Sequence, residues 1–195
     1  HSYSSAASDV YKRQGLTSIT GLAGLPFAAT PFIAAWNPSA KAKAQGASVK
    51  IDVSKMQYGQ QIQIAWRKQP VFVVRHTIES LKNLELSLSK LDDPNSDKIE
   101  EPYKNINATR SQSKEYTVLT GVCTHLGCSP KYYPEVEPKA WDSSWTGGFF
   151  CPCHGSMFDM VGRVFKGMPA PSNLLVPPHF FDGSILTIGE DGGTA

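Results

Sequence analysis

All four cysteines of this 195-residue chain fall between positions 123 and 153. They lie in two short boxes, Cys123-Thr124-His125-Leu126-Gly127-Cys128 and Cys151-Pro152-Cys153-His154-Gly155-Ser156. Each box offers a cysteine, a histidine and a second cysteine. Such clustering points to a site rather than to a disulfide framework spread over a fold. Two Cys and two His make a four-ligand metal site possible and leave two Cys over. Gly127 and Gly155 permit tight loops in which backbone N–H groups can turn toward sulfur. A structural zinc site also takes two Cys and two His, usually from arms such as Cys-x-x-Cys or His-x-x-x-His; here each arm mixes one Cys with one His. Two disulfides among the four cysteines would leave the paired histidines unexplained.

The second constraint is an uncharged run over residues 15–36. At about 1.5 Å per residue it can cross a hydrocarbon core of roughly 30 Å. Trp36 at its end suits an interface, and Pro26 and Pro31 are tolerated in a membrane helix with a kink. A cleaved signal peptide begins similarly, but its apolar core is shorter, about 7–15 residues. The run reads as an uncleaved anchor. Residues 1–14 are polar and patternless and read as an ill-defined start. Residues 37–48, small, polar and Ala-rich, read as a flexible hinge.

From residue 49 the pattern turns to β. Ile62, Ile64 and Trp66 alternate with polar neighbours, and Val71 to Val74 form an apolar strand-like run. Residues 77–91 carry Ile78, Leu81, Leu84 and Leu88 at helical spacing, with Thr77 as a cap. Residues 92–113 read as a long loop. Further strands are expected at 116–122, 148–150, 163–165, 174–176 and 184–188, with Asp182-Gly183 as a hairpin turn. The 14 Pro and 16 Gly suit a loop-rich β protein. A net charge of +2, with Lys and Arg scattered, argues against nucleic-acid binding. His1, His76 and His179 have no cysteine nearby in sequence and read as structural or surface residues.

Cys123-x-His125 paired with Cys151-x-x-His154 resembles the ligand pattern of the Rieske proteins of cytochrome bc-type complexes. The resemblance extends over the apolar run, the linker, the 62–77 region, both boxes and Gly167-Met168-Pro169-Ala170-Pro171, which is similar to the family's proline loop. It implies a mainly β fold: an N-terminal transmembrane helix at 15–36, a hinge at 37–48, and an antiparallel β-sandwich Rieske head at 49–195 with an inserted cluster-binding subdomain at about 118–172. It implies one 2Fe–2S cluster, with Cys123 and Cys151 on the inner iron and His125 and His154 on the outer one. Cys128 and Cys153 would form a disulfide joining the cluster loops, and Ser156 would donate to a bridging sulfide. Phe158 stands where many members have a tyrosine hydroxyl.

In function the resemblance implies the iron–sulfur subunit of a quinol–cytochrome c reductase, not active alone. It would take an electron and a proton from ubiquinol through His154 and pass the electron to a membrane-bound c-type cytochrome. Cytochrome b would be its other partner, in a dimeric complex. A structural disulfide needs an oxidising compartment, so the head is expected in the periplasm of a bacterium, on a single-pass anchor in the inner membrane. Two neutral imidazoles in place of two thiolates make such a cluster less negative, with a potential of roughly −150 to +300 mV. The competing readings are a Rieske subunit of another complex such as arsenite oxidase, and a Rieske ferredoxin. Ferredoxins usually lack the extra cysteine pair and an anchor.

Overall fold

The computed structural model describes residues 2–37, 39, 46–103 and 107–192. His1 and most of the expected hinge, residues 38 and 40–45, lie outside the described residues. The chain divides into two units, His1–Ala44 and Gln45–Ala195.

The first unit is one helix, α1 (Ser2–Ala35). Its Ala7–Ala35 portion is long and apolar enough to cross a membrane. The helix corrects the sequence reading at its start, because residues 2–14 continue into the apolar run instead of standing apart from it. Those residues lack apolar periodicity, but they also lack Pro and Gly, so nothing in them opposes helix. Pro26 and Pro31 are held inside α1. The hydroxyls of Thr17 and Thr30 donate back to Arg13 O and Pro26 O, at 2.9 and 2.7 Å, which hides polar groups on an apolar helix.

Among its described residues the second unit holds three three-stranded antiparallel sheets. Its strands are β1 (Val49–Asp52), β2 (Gln61–Trp66), β3 (Gln69–Arg75), β4 (Tyr116–Thr120), β5 (Lys131–Tyr133), β6 (Gly148–Phe150), β7 (Met157–Phe158), β8 (His179–Asp182) and β9 (Ile185–Ile188). The sheet β2–β3–β4 lies between the other two in its packing. Successive side chains of a strand point to opposite faces, and β3 buries both. Val71 and Val73 enter a core with Trp66, Val118, Leu186 and Ile188, against the sheet β1–β9–β8. Phe72 and Val74 enter a second core with Leu119, Phe149, Phe158, Cys123 and Cys151, against the sheet β5–β6–β7. Phe72 and Phe149 stack at 5.7 Å. Each fully buried Val or Phe here is worth about 1.5–3 kcal/mol, so the cluster-box lobe is seated on a double-sided strand.

The helix after β3, α2 (Ile78–Ser87), is capped by Thr77, whose hydroxyl accepts from Ser80 N at 3.0 Å while Ser80 Oγ accepts from Thr77 N. It is shorter than the spacing implied. Leu84 is buried, but Ile78 is 76% exposed, and Leu88 lies beyond the helix in a 3-10 turn, Leu88–Lys90. Two expected strands are absent among the described residues. The segments 163–165 and 174–176 run as coil: the first keeps the single bridges Phe158 to Val164 and Leu91 to Phe165, and the second meets β4 through Thr120 N, which donates to Leu175 O at 2.7 Å. Their backbones are satisfied otherwise: Val164 N donates to the Asn173 side chain at 2.8 Å and Leu174 N to Gly162 O at 2.8 Å. Asp182-Gly183 does open the β8–β9 hairpin, with Gly183 at φ 59°.

Candidate metal centre

The two cysteine boxes are the loops that leave β4 and β6, and they are built alike. In the first, Cys123 N donates to Cys128 O at 2.7 Å and Gly127 N to Cys123 O at 3.0 Å. In the second, Cys151 N donates to Ser156 O at 2.8 Å and Gly155 N to Cys151 O at 2.9 Å. The same residue offsets make the same bonds. The glycine in each loop has positive φ, 84° at Gly127 and 76° at Gly155, a conformation only glycine adopts without strain. Each loop thereby presents its first cysteine inward and its histidine outward from that cysteine.

Cys123 and Cys151 are buried free thiols, and Cys123 Sγ is within hydrogen-bond reach of Cys151. Burial pushes the Cys123 thiol above its ordinary value, against the opposing pull of the His125 N–H and the Ser156 hydroxyl. A thiolate in that place therefore calls for a cation beside it. The rings of His125 and His154 meet edge to face at 4.7 Å. His154 is exposed, whereas His125 is half-buried and its Nδ1 is buried with no hydrogen-bond partner. A buried ring nitrogen without a partner is costly unless something else takes its lone pair. Cys128 and Cys153 are joined as a disulfide. Their sulfurs and that of Cys151 all lie within 4.8 Å of one another, but the bonded pair offers no thiolate to a metal. The donor set left is two buried thiols and two imidazoles, which fits a cluster of the Rieske type.

The third wall is the 167–171 segment. Ala170 is buried and its N–H donates to Ser156 Oγ at 3.1 Å. Ser156, fully buried, thus accepts from the proline segment while its own hydroxyl faces the Cys123 sulfur. Sequence reasoning missed Thr124, whose Oγ1 donates to Ser172 O at 2.7 Å and ties the first box to the same segment. The signal for it was a hydroxyl placed between a cysteine and a histidine. Phe158 is fully buried in the core that contains Cys123 and Cys151. His76 and His179 are both buried away from the boxes, in hydrogen bonds to Thr117 and Ser111.

Residues 48–178 match the family model described as the Rieske [2Fe-2S] domain. The chain belongs to that family, and a 2Fe–2S cluster is its cofactor. Within the family it is similar to the ubiquinol-cytochrome c reductase iron-sulfur subunit of Allochromatium vinosum, 48% identical over 92% of this chain and 87% of that one. The subunit of the same name from Rhodospirillum rubrum is 41% identical over 89% and 87%. The mitochondrial cytochrome b-c1 complex subunit Rieske of Schizosaccharomyces pombe is 34% identical over 92% and 70%.

Proposed function

We propose that this chain is the iron–sulfur subunit of a quinol–cytochrome c reductase. It takes one electron and one proton from ubiquinol and passes the electron to a membrane-bound c-type cytochrome. The observation that carries the site is the pair of matched loops, which bring together two buried thiols and two imidazoles. Relatives bearing that subunit's name, similar over nearly the whole chain, favour this reading over a ferredoxin or an arsenite oxidase subunit.

When bound, the cluster supplies one-electron acceptance at a potential raised by its two neutral imidazole ligands. Cys123 and Cys151, the buried thiols, would hold it from the core side. His125, whose buried Nδ1 has no hydrogen-bond partner, would be a third ligand. His154, exposed, would be the fourth and would keep its remaining ring nitrogen for solvent or substrate. That nitrogen accepts a hydrogen bond from a quinol hydroxyl and then holds its proton. Ser156 and Ala170 keep water from the Cys123 side. The Cys128–Cys153 disulfide holds the two loops in register. The α1 anchor keeps the head at the membrane, where cytochrome b supplies the quinol pocket, so the chain has no turnover alone. The disulfide favours an oxidising compartment for the head, the periplasm of a bacterium, and the complex is a dimer.

Electron paramagnetic resonance of reduced membranes tests the reading. A g-anisotropic Rieske signal whose shape changes when a quinol-site inhibitor is added is expected. A signal indifferent to the inhibitor, with no haem b or c co-purifying, would contradict it.

A further inference from the structure

Arg110 is a charged residue in an interior place. It is 5% exposed, and its backbone sits at φ 54°, a left-handed conformation uncommon for a long side chain. Its guanidinium uses every side of its fork. Nε donates to Glu101 Oε2 at 3.0 Å, and Nη2 meets Glu101 Oε1, the pair being almost wholly buried. Nη1 donates to Val161 O at 2.8 Å and Nη2 to Leu174 O at 2.7 Å.

Val161 and Leu174 are fully buried and stand on either side of the proline segment. Leu174 N also donates to Gly162 O. The guanidinium therefore closes the base of the 162–174 excursion. Near its tip Ala170 N is bonded to Ser156 Oγ, and Ser172 O to Thr124 Oγ1. Charge-assisted bonds are the strong ones, and a planar fork with fixed donor directions aims two carbonyls as a flexible ammonium cannot.

We propose that Arg110 is a positioning residue for the cluster site. With Glu101 it locks the base of the 162–174 segment and so sets how tightly Ala170 and Ser156 close over Cys123. The link to the cluster rests on the function proposed above; the lock itself does not.

The test is amide hydrogen exchange on the full, cluster-loaded chain in detergent, with the spectrum of the reduced cluster recorded alongside. Arg110→Lys keeps the charge and loses the fork. The Ala170 and Leu174 amides should then exchange about tenfold faster or more, the β8–β9 amides should be unchanged, and the resonance line shape of the reduced cluster should alter. Leu186→Ala, which opens the opposite core, should do the reverse: faster exchange in β1–β9–β8 with Ala170 and the line shape untouched. Uniform acceleration across both sheets in Arg110→Lys, or an unaltered Ala170, overturns the proposal. If Arg110→Lys does not fold, the unmodified chain decides. The amides of Arg110, Ala170 and Leu174 should open as one unit with a common denaturant dependence, and separate openings overturn the lock. A chain that shows no Rieske signal at all refutes the cluster reading and leaves the exchange data to judge the lock by themselves.

Discussion

Ser156→Ala separates two roles of one hydroxyl. In the structure Ser156 Oγ accepts from Ala170 N at 3.1 Å and faces the Cys123 sulfur, with the residue fully buried. A hydrogen bond to an ionised group is worth about 1.5–3 kcal/mol. Reduction adds negative charge to the sulfurs, so a donor there stabilises the reduced state more than the oxidised one. If about 1 kcal/mol of the bond is differential, losing it lowers the one-electron midpoint by about 40 mV, given roughly 59 mV per tenfold change. The same change strands the Ala170 N–H in the interior, at a cost of about 1–3 kcal/mol in stability. A dye-mediated redox titration followed by paramagnetic resonance reads the first effect, and urea unfolding reads the second. A midpoint that stays put or rises would refute the placing of the Ser156 donor against sulfur, whatever the loss in stability.

Two glycines should respond in opposite degrees. A Cβ on Gly148 would lie 2.1 Å from Phe158 O, backbone against backbone, so Gly148→Ala should cost more than about 3 kcal/mol and cost the chain its cluster. A Cβ on Gly155 would meet nothing within 4 Å, so Gly155→Ala should cost only the left-handed strain, about 1–2 kcal/mol, by thermal unfolding. Replacing both Cys128 and Cys153 by Ser removes a link across a sequence separation of 25. On the loop-entropy model that loses about 3.5 kcal/mol in chemical unfolding. Burial holds His76 and His179 down at about 4. Their protonated forms are disfavoured in the fold, so the unfolded chain binds more protons between pH 6.5 and 4. Stability should therefore fall by about 3 kcal/mol per histidine as pH drops through that window, and His76→Gln should flatten its share of the slope.

The parts of the fold legible from sequence were those with a local cause. Thr77 caps α2 because a hydroxyl precedes an apolar period, and β2 and β3 read correctly because six and seven residues of alternation or apolar run suffice for a pattern. The strands β5, β7 and β8 were missed, although β6 and β9, equally short, were expected; each exists because a neighbour supplies the ladder. The reverse error fell on 163–165 and 174–176, where apolar residues are buried as coil because Asn173 and Gly162 satisfy the backbone that a sheet would have used. At the site, the boxes were plain from residue type and spacing. The buried carboxylate–guanidinium lock of Glu101 and Arg110 was not, because polar loop residues in sequence look alike whether they face water or the core.

The most direct test of the proposed ligand set is pulsed paramagnetic resonance on the reduced full-length chain, grown with 15N-labelled histidine. Two inequivalent histidine nitrogens coupled to the cluster are predicted, one of them lost in His125→Cys and the other in His154→Cys. Coupling to no histidine, or to one that survives both substitutions, would contradict the assignment of His125 and His154 to one iron.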